Sequence, residues 1–193
     1  MSNDPRDDPR WKRLHNRDWT CPCCGQKHAG LFDIAYVRPE QWTGSEDCRP
    51  NSEARAASHI LTEDFCVLEG EHYFVRCVLE LPIAGAPSER FGFGVWSTLS
   101  QKNFDLYVES FDSGVQEHLG PWFGWFSNRL FDYPDTLNLK CQVHLRDGRI
   151  RPWIELEPTE HPLAVEQRQG ITFDRILDLY ALSGHDLRSA LTD

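Results

Sequence analysis

"FCVLEGEHYFVRCVLEL", residues 65–81, is apolar in both arms around a Glu-Gly-Glu break, and its second arm alternates apolar and polar side chains. Period two with a turn residue in the middle specifies a β-hairpin. In that arm Tyr73, Val75, Cys77, Leu79 and Leu81 share one face, while Arg76 and Glu80 lie on the other. Further along, "FGFGVWSTLS" (91–100) predicts a strand that ends at a helix cap, Ser100. Phe104, Tyr107, Val108 and Phe111 then recur at i, i+3, i+4 and i+7, an amphipathic helix.

A second hairpin is expected in "LNLKCQVHLRDGRIRPWIELE" (137–157), where Asp147-Gly148 is a type I′ turn signal. Counted back from that turn, Lys140 faces Glu155 and His144 faces Arg151. Pro152 lacks a donor, which marks its strand as an edge or a bulged strand. "HPLAVEQRQG" (161–170) and "TFDRILDLYALSG" (172–184) read as helices, with Pro162 and Thr172 at their starts and Gly170 and Gly184 at their ends. Strands first, helices between and after, with no βαβ alternation, give an α+β fold: an antiparallel sheet with hairpins, packed by a few helices. Residues 1–18 read as a flexible tail, 19–187 as a single domain, and 188–193 as a short C-terminal tail.

At 193 residues and 40% hydrophobic content the chain is long and apolar enough to bury a core. Its formal net charge of −10 argues against nucleic acid and anionic membrane as partners, since both need clustered Lys and Arg. The first 19 residues, "MSNDPRDDPRWKRLHNRDW", hold no apolar run of the signal-peptide kind, and no stretch is long enough to span a bilayer. A cytoplasmic location follows as an expectation. Seven cysteines, an odd number, then serve as small core residues, with a subset free to bind metal.

"TCPCCGQKHAG" (20–30) is the densest chemical segment. Two thiolates spaced as Cys21-x-x-Cys24, followed by Gly25, have the form of a zinc knuckle, and the glycine permits the tight turn. His28 can reach the same ion, and Cys23 is expected to be a spectator. A structural tetrahedral site needs a fourth ligand. Cys48, Cys66, His72 and Cys77 are candidates, and Cys66 is preferred because it opens a strand at a loop boundary. A metal-free turn with ordinary thiols is the alternative. A redox pair is disfavoured, because no helix follows Cys24.

"GPWFGWFSNRL" (120–130) carries Trp122, Phe123, Trp125 and Phe126, which are either a contact surface for another protein or large core side chains. Glu157, Glu160, His161 and Glu166 cluster near a helix start, as a general acid–base site or as a cap with solvated charge. The face bearing His144, Arg146, Arg149 and Arg151 is either an anion site or the solvated side of a hairpin. There is no G-x-S-x-G, H-E-x-x-H, P-loop or G-x-G-x-x-G.

Four segments together, "CPCCGQKHAG" (21–30), "FGFGVWSTLS" (91–100), "WFGWFSNRLFDYPDTLNLKCQVH" (122–144) and "IELEPTEHPLAVEQRQGI" (154–171), resemble the bacterial domain of unknown function 2199. The resemblance spans about residues 19 to 185. It carries the C-x-x-C-G-x-x-H opening and implies a small bacterial protein with no assigned activity. The favoured expectation is a non-enzymatic protein-binding module with a structural zinc site formed by Cys21, Cys24, His28 and Cys66. The alternative is a hydrolase-like enzyme using His144 or His161 with nearby carboxylates or arginines.

Overall fold

The computed structural model describes residues 4–45 and 47–192. Its strands are β1 (Ile34–Ala35), β2 (Ile60–Leu61), β3 (Phe65–Leu68), β4 (His72–Ile83), β5 (Ala86–Leu99), β6 (Trp122–Trp125), β7 (Lys140–His144) and β8 (Trp153–Leu156). Its α-helices are α1 (Pro9–Leu14), α2 (Gln101–Phe111), α3 (Pro162–Gln169), α4 (Phe173–Leu182) and α5 (Arg188–Thr192). The fold is α+β. Among the described residues, no helix is long and apolar enough to cross a membrane.

The hairpin expected at 65–81 forms, with Leu68 paired to His72 and Phe65 to Val75. β4 then continues into a second, longer hairpin with β5, from Tyr73–Leu99 to Pro82–Arg90. The sheet order is β1-β5-β4-β8-β7-β6, and off this path β3 pairs with β4 and β2 with β3. It is a mixed sheet: β1 pairs with β5 and β8 pairs with β4 in parallel. The end of β6 curls back to β5 through a Ser97–Phe126 bridge, and the Ser127 amide donates to the Trp96 carbonyl at 2.9 Å. Gly124 permits this closure, because a Cβ there would stand 2.3 Å from Ser97 Oγ.

The predicted helices are present. Ser100 accepts from the Asn103 amide and opens α2, whose Phe104 and Tyr107 are buried. Thr172 accepts from the Arg175 amide and opens α4, whose Ile176, Leu177, Leu179 and Tyr180 join the main core. Burying such side chains stabilises the fold by about 1.5–3 kcal/mol each.

Three expectations change. Residues 4–18 are not a loose tail: Asp8 caps α1, and Trp11 and Leu14 on it are 4% and 0% exposed. The apolar pair is too short a pattern to reveal a helix by periodicity. Beyond residue 187, α5 likewise buries Leu191. The β7–β8 hairpin is shifted by two residues, pairing His144 with Trp153 and Gln142 with Glu155. Asp147 explains the shift. Its carboxylate accepts from the Gln116 and Glu117 amides at 2.6 and 2.8 Å, and Gly148 donates to Gly114 at 2.8 Å. The loop is held by residues 114–117 and does not close as a two-residue turn. Finally, β8 is an interior strand between β4 and β7, with Pro152 just outside it, where its carbonyl accepts from the Val78 amide.

Candidate metal centre

Cys21 follows α1 in the chain, with its side chain in the main core. A tight turn follows. The Gly25 amide donates to the Cys21 carbonyl at 2.8 Å, and the Cys21 amide to the Gln26 carbonyl at 2.8 Å. Gly25 takes a φ of 71°, the left-handed region that glycine enters without strain. The turn brings Cys24 over Cys21 and leads the chain to His28, whose Nε2 is 3.2 Å from Cys24 Sγ. One ligand atom each from Cys21, Cys24 and His28 lie within 4.8 Å of one another. Ligand atoms on one tetrahedral zinc are about 3.3–3.8 Å apart, so these three need only a small contraction.

The imidazole is held from behind. His28 stacks on Phe32 with ring centroids 3.9 Å apart, and Phe32 stacks on Tyr180 of α4 at 4.1 Å. The Tyr180 hydroxyl accepts from the Phe32 amide and donates to the Phe32 carbonyl, both at 2.8 Å. A buried tyrosine on the last helix turns thus fixes the loop that carries His28. Burial, and secondarily the nearby His185, hold His28 below the usual histidine pKa. Both effects favour the neutral ring, the form that donates a lone pair to a metal. Cys23 is exposed and turns away, its thiol donating to the Asp186 carbonyl at 3.6 Å.

The structure brings Cys21, Cys24 and His28 together and leaves Cys66 out. The reason is strand alternation. Phe65 and Val67 of β3 point into the main core that holds Cys21, so Cys66 between them points to the other face. There it packs in a second cluster with Trp42, Leu61, Leu68, Phe74 and Trp96, and burial pushes its thiol up to about 12. Cys48 and His72 are exposed, and Cys77 is a fully buried core thiol; none joins the group. Cys66→Ser is expected to cost about 1–3 kcal/mol in a denaturant titration, because the hydroxyl gains no partner in that apolar cluster. Its metal content should equal that of the unmodified chain.

The remaining candidates separate by use. In β6 and just after it, alternate side chains turn inward. Trp122 packs against the core and Phe126 is fully buried, whereas Phe123 and Trp125 are 44% and 39% exposed. His161 caps α3, its Nδ1 accepting from the Leu163 amide at 3.2 Å. His144 stacks on Trp153 and places Nε2 3.0 Å from Glu155 Oε2, a cross-strand pair. Each arginine of that face has a carboxylate beside it: Arg146 with Glu80, Arg149 with Asp112, Arg151 with Asp64. Sequence reasoning missed the supports of the metal group, Phe32, Tyr180 and His185. No spacing rule links residue 28 to Tyr180 and His185, and Phe32 gains its role only through Tyr180.

Residues 20–171 match the family described as an uncharacterized protein conserved in bacteria, DUF2199. No curated protein and no solved structure matches the chain.

Proposed function

The chain belongs to the bacterial family DUF2199, and from that premise we propose that it is a zinc-stapled, non-catalytic protein-binding module of the cytoplasm. The observation that carries this reading is the convergence of Cys21, Cys24 and His28 within 4.8 Å on a loop braced by packed rings. Two thiolates and a neutral imidazole suit zinc, and a thiolate-rich tetrahedral set is its usual structural site. The surroundings of the group favour structure over turnover. Cys21 is buried in the core, and His28 is backed by Phe32 and Tyr180 rather than by an acid or base.

The contact face is the exposed aromatic pair on β6. Phe123 and Trp125 meet edge to face with centroids 5.1 Å apart, and rigid exposed rings of this kind are the residue types that anchor protein interfaces. The strand beneath them is fixed at both sides, by pairing to β7 and by the donation of the Trp125 amide to Thr98 Oγ1 at 2.9 Å. Phe123→Ala with Trp125→Ala is expected to move the unfolding free energy by less than about 0.5 kcal/mol per site, as surface changes do. The same double variant should lose the protein that the unmodified chain retains from a bacterial extract after cross-linking. Equal retention by both chains would remove this face from the account.

A further inference from the structure

Cys21, Cys24 and His28 supply three ligands, and a closed structural zinc site takes four. We propose that His185 is the fourth, so that the centre is a Cys2His2 site joining the N-terminal turn to the end of α4. The inference rests on the zinc reading above and names the group that completes it.

α4 stops in a way that delivers this side chain. The Gly184 amide donates to the Ala181 carbonyl and the His185 amide to the Tyr180 carbonyl at 2.8 Å, a six-residue closing bond around a left-handed glycine with φ 89°. The chain is thereby turned back past Tyr180, the residue that braces Phe32 behind His28. The His185 ring meets His28 edge-on with centroids 6.2 Å apart, and meets Phe32 at 5.4 Å. From the other side, the Cys21–Cys24 turn leans on the same segment through Cys23 and the Asp186 carbonyl.

His185 Nδ1 is buried and has no hydrogen-bond partner among the described residues. A buried polar nitrogen left unpaired is unfavourable, and a metal ion is a partner that removes the deficit. The nearby alternative, His15, stacks on the Trp11 ring, and its Nε2 lies against Gly30 rather than in the group of three. Two imidazoles on one tetrahedral zinc hold their centroids about 5 Å apart, given metal–nitrogen bonds of about 2.0–2.1 Å. His185 stands outside the group of three, so binding must draw it in: against the 6.2 Å seen here, the ring centroids must close by about 1 Å. Gly184 stands in open space, with nothing within 4 Å of the Cβ it lacks, so no neighbour blocks that movement there. Charge agrees as well: two thiolates balance the dication, and a second neutral imidazole leaves a half-buried centre with no net charge.

The test uses the full chain loaded with cobalt(II), with coordination read from its ligand-field and thiolate charge-transfer absorption, and zinc affinity read by chelator competition. His185→Ala is expected to weaken zinc binding by at least about 10–100-fold, the loss seen even for outer partners of metal ligands, and to change the cobalt ligand field. His185→Cys is expected to keep tetrahedral absorption and to add a third thiolate, raising the charge-transfer intensity by about half if position 185 faces the ion. This second variant reports on position 185 even where the alanine variant fails to fold. Unchanged affinity and spectra in both variants, with binding abolished by Cys24→Ser, would overturn His185 and leave the zinc reading standing. Full binding by Cys24→Ser would overturn the zinc reading itself, and His185 with it.

Discussion

Replacing Trp96 by alanine is expected to destabilise the protein by about 3–5 kcal/mol, the cost of deleting a fully buried large aromatic side chain. Trp96 is 0% exposed and lies in the second core cluster, packed with Trp42, Leu61, Cys66, Leu68 and Phe74. Its indole N–H donates to the Tyr36 carbonyl at 3.1 Å, so the truncation also leaves that acceptor without its donor. Its backbone matters as much. The Trp96 amide donates to Asn128 Oδ1 at 2.7 Å and its carbonyl accepts from Ser127, which together tie β5 to the segment leaving β6. A domain of ordinary stability has about 5–15 kcal/mol in hand, so this one change removes a large share of it. Guanidinium titration of the variant should show a markedly lower midpoint. A midpoint close to that of the unmodified chain would mean that the second cluster is not a cooperative part of the fold.

Removing the metal is the second large effect. A ligand that binds only the folded chain stabilises it by about 4 kcal/mol at a thousandfold excess over its dissociation constant. Chelation of the zinc-loaded protein should therefore lower the unfolding midpoint by a comparable amount, and Cys24→Ser should reproduce the shift without chelator. Amide exchange should rise first in the segment around residues 20–32, where Cys21, His28 and Phe32 meet the end of α4. The sheet around β4 and β5 should change last, because its ladder owes nothing to the metal group.

Periodicity made the local elements legible. The 65–81 hairpin, α2 with its Ser100 cap and α4 with its Thr172 cap follow from alternation, i, i+3, i+4 spacing and capping chemistry. What period two does not contain is the identity of a strand's neighbour. The parallel placement of β8 on β4 and the curl of β6 onto β5 depend on contacts far apart in sequence. The register of β7 against β8 was misread because Asp147 looks like a turn residue, while it spends its carboxylate on the amides of residues 116 and 117. α1 escaped notice because Trp11 and Leu14 make one short apolar step in a charged segment.

The candidate centre divides in the same way. Cys21, Cys24 and His28 were legible because their spacing is local and fits one ion. Cys66 was misplaced because the sequence shows that β3 is apolar but not that both of its faces are covered, and the odd position faces the second cluster. Of the four aromatic residues at 122–126, alternation alone separates Phe123 and Trp125 from the inward Trp122 and Phe126. Tyr180 looked like one more core residue of an amphipathic helix, and its grip on Phe32 is a tertiary fact.

The central claim is tested most directly by native mass spectrometry of the protein purified without chelator, beside Cys24→Ser prepared in the same way. The account predicts one zinc ion per unmodified chain and none on the variant. A metal-free chain that is fully folded, takes up no added zinc and keeps residues 20–32 protected would contradict it, leaving the Cys21–His28 segment a turn braced by its aromatic neighbours alone.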